Sequence, residues 1–176
     1  MNEVRAATVR VLNHYSHERL FQWFDWKRPG DILDENTRRV KKPGGFWLSD
    51  DSGKDGWISA CQRVYPEEYA VRYRYRHECI VALDGVLWLK TRYDMERFNS
   101  NYGVVDKPGG SQFIDWNRVR ADYRGILIIP FHRDLSHQEP SYHWYIFDCA
   151  SGCIWNSACL LHVKPGVKTR FPERVP

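Results

Sequence analysis

The apolar residues of this chain come in short runs, each cut off within a few positions by glycine, proline or a carboxylate. Phe46-Trp47-Leu48-Ser49 follows Lys41-Lys42-Pro43-Gly44-Gly45. Cys79–Leu83 and Val86–Leu89 flank Asp84-Gly85. Ile126–Phe131 follows Gly125 and carries Pro130, and Tyr142–Phe147 stops at Asp148. Runs of this length build strands rather than long helices. Between them lie short helical patterns. Trp57-Ile58-Ser59-Ala60-Cys61 begins one, Tyr93–Tyr102 carries Met95, Phe98 and Tyr102 on one face, and a third holds Val119 and Tyr123 before Gly125. Strand and long helix do not alternate strictly, which argues against a doubly wound dinucleotide fold. The expected class is α+β, with one domain over residues 1–163 and a proline- and charge-rich tail over 164–176.

Other local signals refine this pattern. Val4–Val11 has strand composition, and Ser16 is placed to cap a short helix through Glu18-Arg19-Leu20-Phe21. Pro29-Gly30-Asp31 reads as a turn. Tyr69–Tyr75 alternates Tyr69, Val71, Tyr73 and Tyr75 with arginines, the period of a half-buried strand. Asp84-Gly85 is a hairpin signal between its neighbouring runs. Asp106–Gln112 and His132–Ser141 read as loops. The tail from Lys164 reads as poorly ordered.

A chain of 176 residues buries a core without a disulfide or metal staple. Aromatic residues make up 15%, including eight Trp and ten Tyr, which suits a core whose rim forms a pocket. No apolar stretch nears the roughly 20 residues that span a bilayer. Met1–Arg10 is charged and leads into no long apolar run, so a cytoplasmic location is expected, with no membrane partner. The cysteines, Cys61, Cys79, Cys149, Cys153 and Cys159, are odd in number and irregularly spaced, as free thiols are. Lys and Arg total 26 against 22 Asp and Glu. That mild excess permits an anionic ligand or nucleic acid without requiring either.

Most familiar motifs are missing. There is no G-x-G-x-x-G after a strand and no Walker A or H-E-x-x-H pattern. His77-Glu78-Cys79 opens like a deaminase signature but has no P-C-x-x-C partner. Cys149 and Cys153 are too sparse for a structural zinc site, and no metal site is expected. Gly44-Gly45 and Gly109-Gly110 each follow Lys-Pro. Both could offer amides to a phosphate, and both are also ordinary turn chemistry.

Three segments stand out. His14-Tyr15-Ser16 forms a polar cluster where the first strand leaves the sheet, and an imidazole there could donate to a ribose hydroxyl. Gly45-Phe46-Trp47-Leu48-Ser49 is either an aromatic core strand or a cleft wall that lets a flat ring stack and bonds it through Ser49. Asp148 ends an apolar strand, where a carboxylate either caps the turn through Ser151 or Gly152 or faces developing positive charge.

Taken in order, these segments resemble the ADP-ribosyltransferase superfamily. One branch carries a histidine on the first strand, a glycine–aromatic–Ser or glycine–aromatic–Thr segment on the second and a late acidic or polar residue. The resemblance implies a split, mainly antiparallel sheet with short peripheral helices. It implies NAD as ligand, cleavage of the nicotinamide–ribose bond and a macromolecular acceptor, protein or nucleic acid. His14, Tyr15, Ser16, Gly45, Phe46, Trp47 and Ser49 would hold NAD. Tyr75, Tyr93 or Trp57 would stack on nicotinamide. Asp148 would be the late carboxylate, with Glu139 and Asp115 as weaker choices. Arg72 or Arg74 could meet the pyrophosphate. The run Asp148-Cys149-Ala150-Ser151-Gly152-Cys153-Ile154-Trp155 also resembles the signature of a family without an assigned function.

Two rival readings use other residues. A non-catalytic nucleic-acid- or protein-binding module would present aromatics interleaved with arginines, as over Tyr69–Arg76. A hydrolase or nuclease would gather His132, His137, His143 or His162 with Asp134 or Asp148 around a metal or phosphate.

Overall fold

The sheet is shaped by one very short connection. In the computed structural model, which describes residues 8–20, 42–64, 73–105, 112–136, 142 and 144–169, strand β3 (Tyr75–Ala82) is followed after only three residues by β4 (Val86–Leu89). Yet β3 and β4 are far apart in hydrogen-bonding order. With β1 (Val9–Ser16), β2 (Phe46–Ser49), β7 (Gly125–Ile128), β8 (Ser151–Ile154) and β10 (Val167–Lys168), the order is β10-β3-β1-β2-β8-β7-β4, and β9 (Leu160–Val163) also pairs with β3. Laid flat, the five steps from β3 to β4 would span about 24 Å. The chain from Ala82 to Val86 reaches at most about 14 Å. The sheet therefore curls, bringing β4 back toward β3 and β1. Arg10 on β1 duly lies over the Trp88 ring on β4, 4.7 Å from its centroid.

Curling gives the sheet an inside and an outside. Inward-facing Leu12, Phe46, Leu48, Cys79, Val81, Leu127 and Ile154 fill the interior. The alternate residues Ile126, Ile128 and Cys153 face outward, where Leu89 joins them. Helix α2 (Arg92–Tyr102), helix α3 (Trp116–Asp122) and a 3-10 turn (Trp144–Phe147) cover that side with Met95, Phe98, Tyr102, Trp116, Val119, Trp144 and Phe147. Burial on both faces explains why Ile126–Ile129 is apolar without interruption. Thr91 and Asp94 cap α2 reciprocally: the Asp94 amide donates to Thr91 Oγ1 at 3.1 Å, and the Thr91 amide to Asp94 Oδ2 at 2.8 Å. Helix α1 (Trp57–Val64), the short hairpin of β5 (Gly103–Val105) and β6 (Gln112–Ile114), and helix α4 (Arg133–Ser136) are the other main elements among the described residues. The fold is a single compact α+β domain. Among the described residues its sheet is antiparallel except for the β4–β7 pair. No helix among the described residues is long and apolar enough to cross a membrane. All five cysteines are free and buried.

Several local expectations are corrected. Asp84-Gly85 makes a tight turn, with the Val86 amide donating to Leu83 O at 3.0 Å, but it joins no hairpin. Beyond it β4 pairs with β7. The first strand runs on to Ser16, so His14 lies within the ladder, opposite His77, and Ser16 pairs with Tyr75 instead of opening a helix. Tyr73 and Arg74 precede β3, whose ladder starts at Tyr75, while Tyr69, Val71 and Arg72 lie outside the described residues. Trp144–Phe147 is a 3-10 turn, not a strand, and Ser151-Gly152 is strand, not turn. The tail holds on to the sheet through Thr169. Val167 and Lys168 pair with Arg76 and Tyr75, the Thr169 amide donates to Arg74 O at 2.7 Å, and Lys164 pairs with Glu78. Pro29-Gly30-Asp31, Gly109-Gly110, His137, Glu139 and His143 lie outside the described residues.

Gly152 lies where β8 passes β7. A Cβ there would strike the Leu127 side chain and sit 2.5 Å from Ile126 O, whereas one on Gly53 would meet nothing within 4 Å. Gly152→Ala is expected to cost about 1–3 kcal/mol or more in urea unfolding. Gly53→Ala should stay within about 0.5 kcal/mol of the parent. Equal midpoints for the two variants would mean that the β7–β8 packing is looser than described.

Candidate functional site

β1 pairs with β3 along its whole length and β2 with β8 along its whole length, but β1 and β2 meet at a single register pair, Asn13 and Ser49. Beyond that pair the two strands part, and His14 bridges the gap. Its Nδ1 lies 2.8 Å from Trp47 O. A carbonyl only accepts, so Nδ1 carries the hydrogen and Nε2 keeps a lone pair. The ring stacks on Phe46 with centroids 4.1 Å apart at 20° and lies 5.9 Å from the ring of His77. Burial drives the His14 pKa down to about 4, with the nearby His77 adding to the depression and the Trp47 bond opposing it. His14 is therefore neutral near pH 7. It can accept a hydrogen bond at Nε2, which reverses the donor role expected for it.

A cavity of about 340 Å³ opens beside this splay. Its aromatic walls are Trp47, Trp57, Tyr73 and Phe147. Asn13, His14, Tyr15, Ser49 and Ser151 supply polar atoms, and Lys42, Leu48 and Cys149 complete the lining. Trp57 and Tyr73 meet edge to face at 5.2 Å. The Lys42 ammonium lies 4.2 Å from the centroid of Trp47 and 5.8 Å from that of Phe147. Burial lowers its pKa and Asp148 opposes that shift. Burial also pushes the Cys149 thiol up to about 12, so Cys149 lines the cavity in its protonated form.

Behind the polar wall stands Asp51. Its Oδ2 accepts from Asn13 Nδ2 at 2.8 Å and from the Tyr15 hydroxyl at 2.6 Å, and its Oδ1 accepts from the Ser49 hydroxyl at 2.9 Å. Ser49 Oγ in turn accepts from the Trp57 amide, at the start of α1, at 2.8 Å. Burial and the Asp51 carboxylate both hold the Tyr15 phenol well above its ordinary pKa. The neighbouring Asp50 turns instead to Arg10, at 2.5 Å. Burial pushes the Asp50 carboxyl up, but bonds from Ser52 and the Arg10 guanidinium outweigh it and hold the pKa low.

The structure thus gathers His14, Tyr15, Trp47 and Ser49, along with Trp57 from the proposed stacking residues. Others of the expected set lie outside the lining. Phe46 points into the sheet interior. Gly45, at φ +150°, abuts β8 rather than a ligand: a Cβ there would lie 2.6 Å from Cys153 Sγ. Ser16 bonds Glu18 O and lies 3.0 Å from His77 Nε2. Tyr75 sits on β3, and Tyr93 is 69% exposed on α2. Asp148 occupies the turn between Phe147 and Cys149 in left-handed backbone, φ 63°. Its residue surface is open, yet the surrounding protein pushes its carboxyl upward, with Lys42 opposing. In that turn the Ser151 hydroxyl bonds the Cys149 carbonyl at 3.0 Å. Asp115 caps α3 by accepting from the Arg118 amide. His132 lies 3.1 Å from Lys90 O, Asp134 faces Arg92, and His162 is on β9. Among the described residues no group of His, Cys, Asp or Glu is assembled to hold a metal. Sequence reasoning misses Asp51, Asn13, Lys42 and Tyr73. The available signal is the position of Asp51, two residues after a strand that ends in serine.

No protein-family model matches the chain, and no curated protein or solved structure matches it either.

A neutral His14 makes stability depend on pH with a definite sign. An unfolded histidine titrates near 6.5. Between that value and about 4 the unfolded chain takes up a proton that the folded chain refuses. Stability should fall by on the order of 3 kcal/mol as the pH drops through this window, and this contribution should level off below it. His77, whose pKa burial also lowers, contributes in the same direction. His14→Asn keeps an amide donor for Trp47 O but does not titrate, so its stability should fall less over the same range. Imidazole NMR that shows His14 protonating near 6.5 in the folded protein would contradict this assignment.

Proposed function

We propose that the cavity binds NAD and that the chain cleaves its nicotinamide–ribose bond, transferring ADP-ribose to a protein or nucleic-acid acceptor. What supports this reading most is the polarity of the cavity. The hydroxyl hydrogens of Tyr15 and Ser49 are turned to Asp51, and the Nδ1 hydrogen of His14 is turned to Trp47 O. What they leave for a ligand is lone pairs, framed by aromatic faces. A flat cation that donates hydrogen bonds fits such a site, because aromatic faces attract positive charge. The nicotinamide ring of NAD is a pyridinium bearing an amide N–H group, and the adjoining ribose has hydroxyl donors. The volume of about 340 Å³ falls at the small end of the range for ligand pockets, about 300–1,000 Å³. It suits the nicotinamide–ribose end of the dinucleotide, leaving the adenylate end outside.

Bound NAD would supply a glycosidic bond whose cleavage builds positive charge on the ribose. Trp47 and Trp57 would hold the ring by stacking. His14 Nε2 would accept from a ribose hydroxyl and fix its rotation. Asp148, between the lining residues Phe147 and Cys149, is the carboxylate assigned to oppose the growing charge. Lys42 would move off the Trp47 face as a cationic ring enters.

Calorimetric titration with NAD tests the reading. Saturable binding is expected. His14→Ala removes one hydrogen bond and a stacked ring, and should weaken binding about five- to tenfold. Asp148→Asn should bind NAD with near-parental affinity and lose nicotinamide release. Absence of binding at millimolar NAD would sink the proposal.

A further inference from the structure

We infer that Asp51 sets the hydrogen-bond polarity of the cavity, and so makes it select a ring that donates hydrogen bonds over an equally shaped ring that only accepts them. The inference rests on the cavity being the nicotinamide site. Asp51 is a positioning residue, because it acts through Ser49 and Tyr15 rather than on the ligand.

The geometry leaves Asp51 little choice. Its carboxylate carries no hydrogen and can only accept. Three donors converge on it: Asn13 and Tyr15 at Oδ2 and Ser49 at Oδ1. Gly56 packs directly beneath Oδ1. A side chain at position 56 would strike that oxygen and lie 2.8 Å from Asp50 O. The carboxylate is thereby pinned, and the hydroxyls are oriented by it. Ser49 is the more constrained of the two, since its oxygen also accepts from the Trp57 amide. With its hydrogen held by Asp51 and one lone pair by Trp57, Ser49 can offer a ligand only an acceptor.

Replacing the carboxylate by its amide, in Asp51→Asn, reverses this. Two donors face the Oδ2 position, so the one remaining side-chain oxygen would stay there. The new NH2 group would fall at the Oδ1 position, against Ser49. Ser49 Oγ would then accept from that NH2 group and from the Trp57 amide, and its hydrogen would be released toward the cavity. One atom changes, the shape does not, and an acceptor becomes a donor.

Nicotinamide and 3-acetylpyridine are the probes. Both are neutral and of nearly the same shape, and the amide NH2 of the first is replaced by a methyl group in the second. Their binding to the full chain is read by NMR shift titration, which reaches weak affinities. The parent protein should prefer nicotinamide by roughly tenfold, the worth of one well-placed hydrogen bond. Asp51→Asn should bring that ratio to about one or below it. Ser49→Ala should reduce the preference by itself, and adding Asp51→Asn to Ser49→Ala should change the ratio no further. General damage to the site would weaken both rings together and leave the ratio intact, and that result overturns the role given to Asp51 while leaving the NAD reading standing. If Asp51→Asn does not fold, an unchanged ratio in Ser49→Ala overturns the inference by itself. Failure of the parent protein to bind NAD or either ring overturns both.

Discussion

The connection between β3 and β4 is too short to cross a flat sheet, and this constraint shapes the rest of the molecule. Because the chain has only Leu83, Asp84 and Gly85 to get from β3, next to one end of the strand order, to β4 at the other, the sheet must curl. A curled sheet of this size has an interior that small and medium apolar side chains can fill and an exterior that needs cover. Helices α2 and α3 and the Trp144–Phe147 turn cover one part of the outside. The ladder opens where β1 and β2 separate. There a histidine side chain takes a hydrogen bond that a regular ladder would give to backbone. The candidate site is thus a product of the same constraint that makes the core.

Polar groups at the splay are disposed so that the hydrogens of His14, Tyr15 and Ser49 all meet protein acceptors. Asp50 and Asp51 divide the labour. One neutralises Arg10 beside the sheet interior, and the other collects the hydroxyls of the cavity wall. Two adjacent carboxylates in a loop would repel if they shared one environment. Their side chains diverge to different partners, which lets both serve structure at the edge of a water-accessible space.

Sequence signals are reliable here where local chemistry decides. The helix from Trp57, the helix bearing Met95, Phe98 and Tyr102, the apolar strand after Gly125 and the free cysteines all follow from periodicity and composition. Pairing partners are not legible. Asp84-Gly85 has the chemistry of a hairpin turn, but which strand lies beside β4 is decided by closure of the whole sheet, and no local window contains that. The site divides in the same way. Trp47 and Ser49 alternate on one face of a strand, as spacing dictates, while Phe46 falls on the other face by the same rule. Asp51 is invisible locally because its role arises from convergence of Asn13, Tyr15 and Ser49, and two of these come from a strand more than 30 positions away. The stretch 164–169 misleads because its proline and charges resemble a solvated segment. Backbone pairing to β3 needs few apolar side chains.

The five cysteines carry one more consequence. Each is buried, and burial raises every one of their thiols above its ordinary pKa, Cys61, Cys79 and Cys149 to about 12. Cys149 faces the cavity, but a thiol that is both hidden and protonated, as the other four are, reacts only when the structure around it opens. These four are spread over α1, β3, β8 and the segment leading into β9. The protein therefore carries its own set of clocks, in which the order of alkylation would record the order in which its parts breathe.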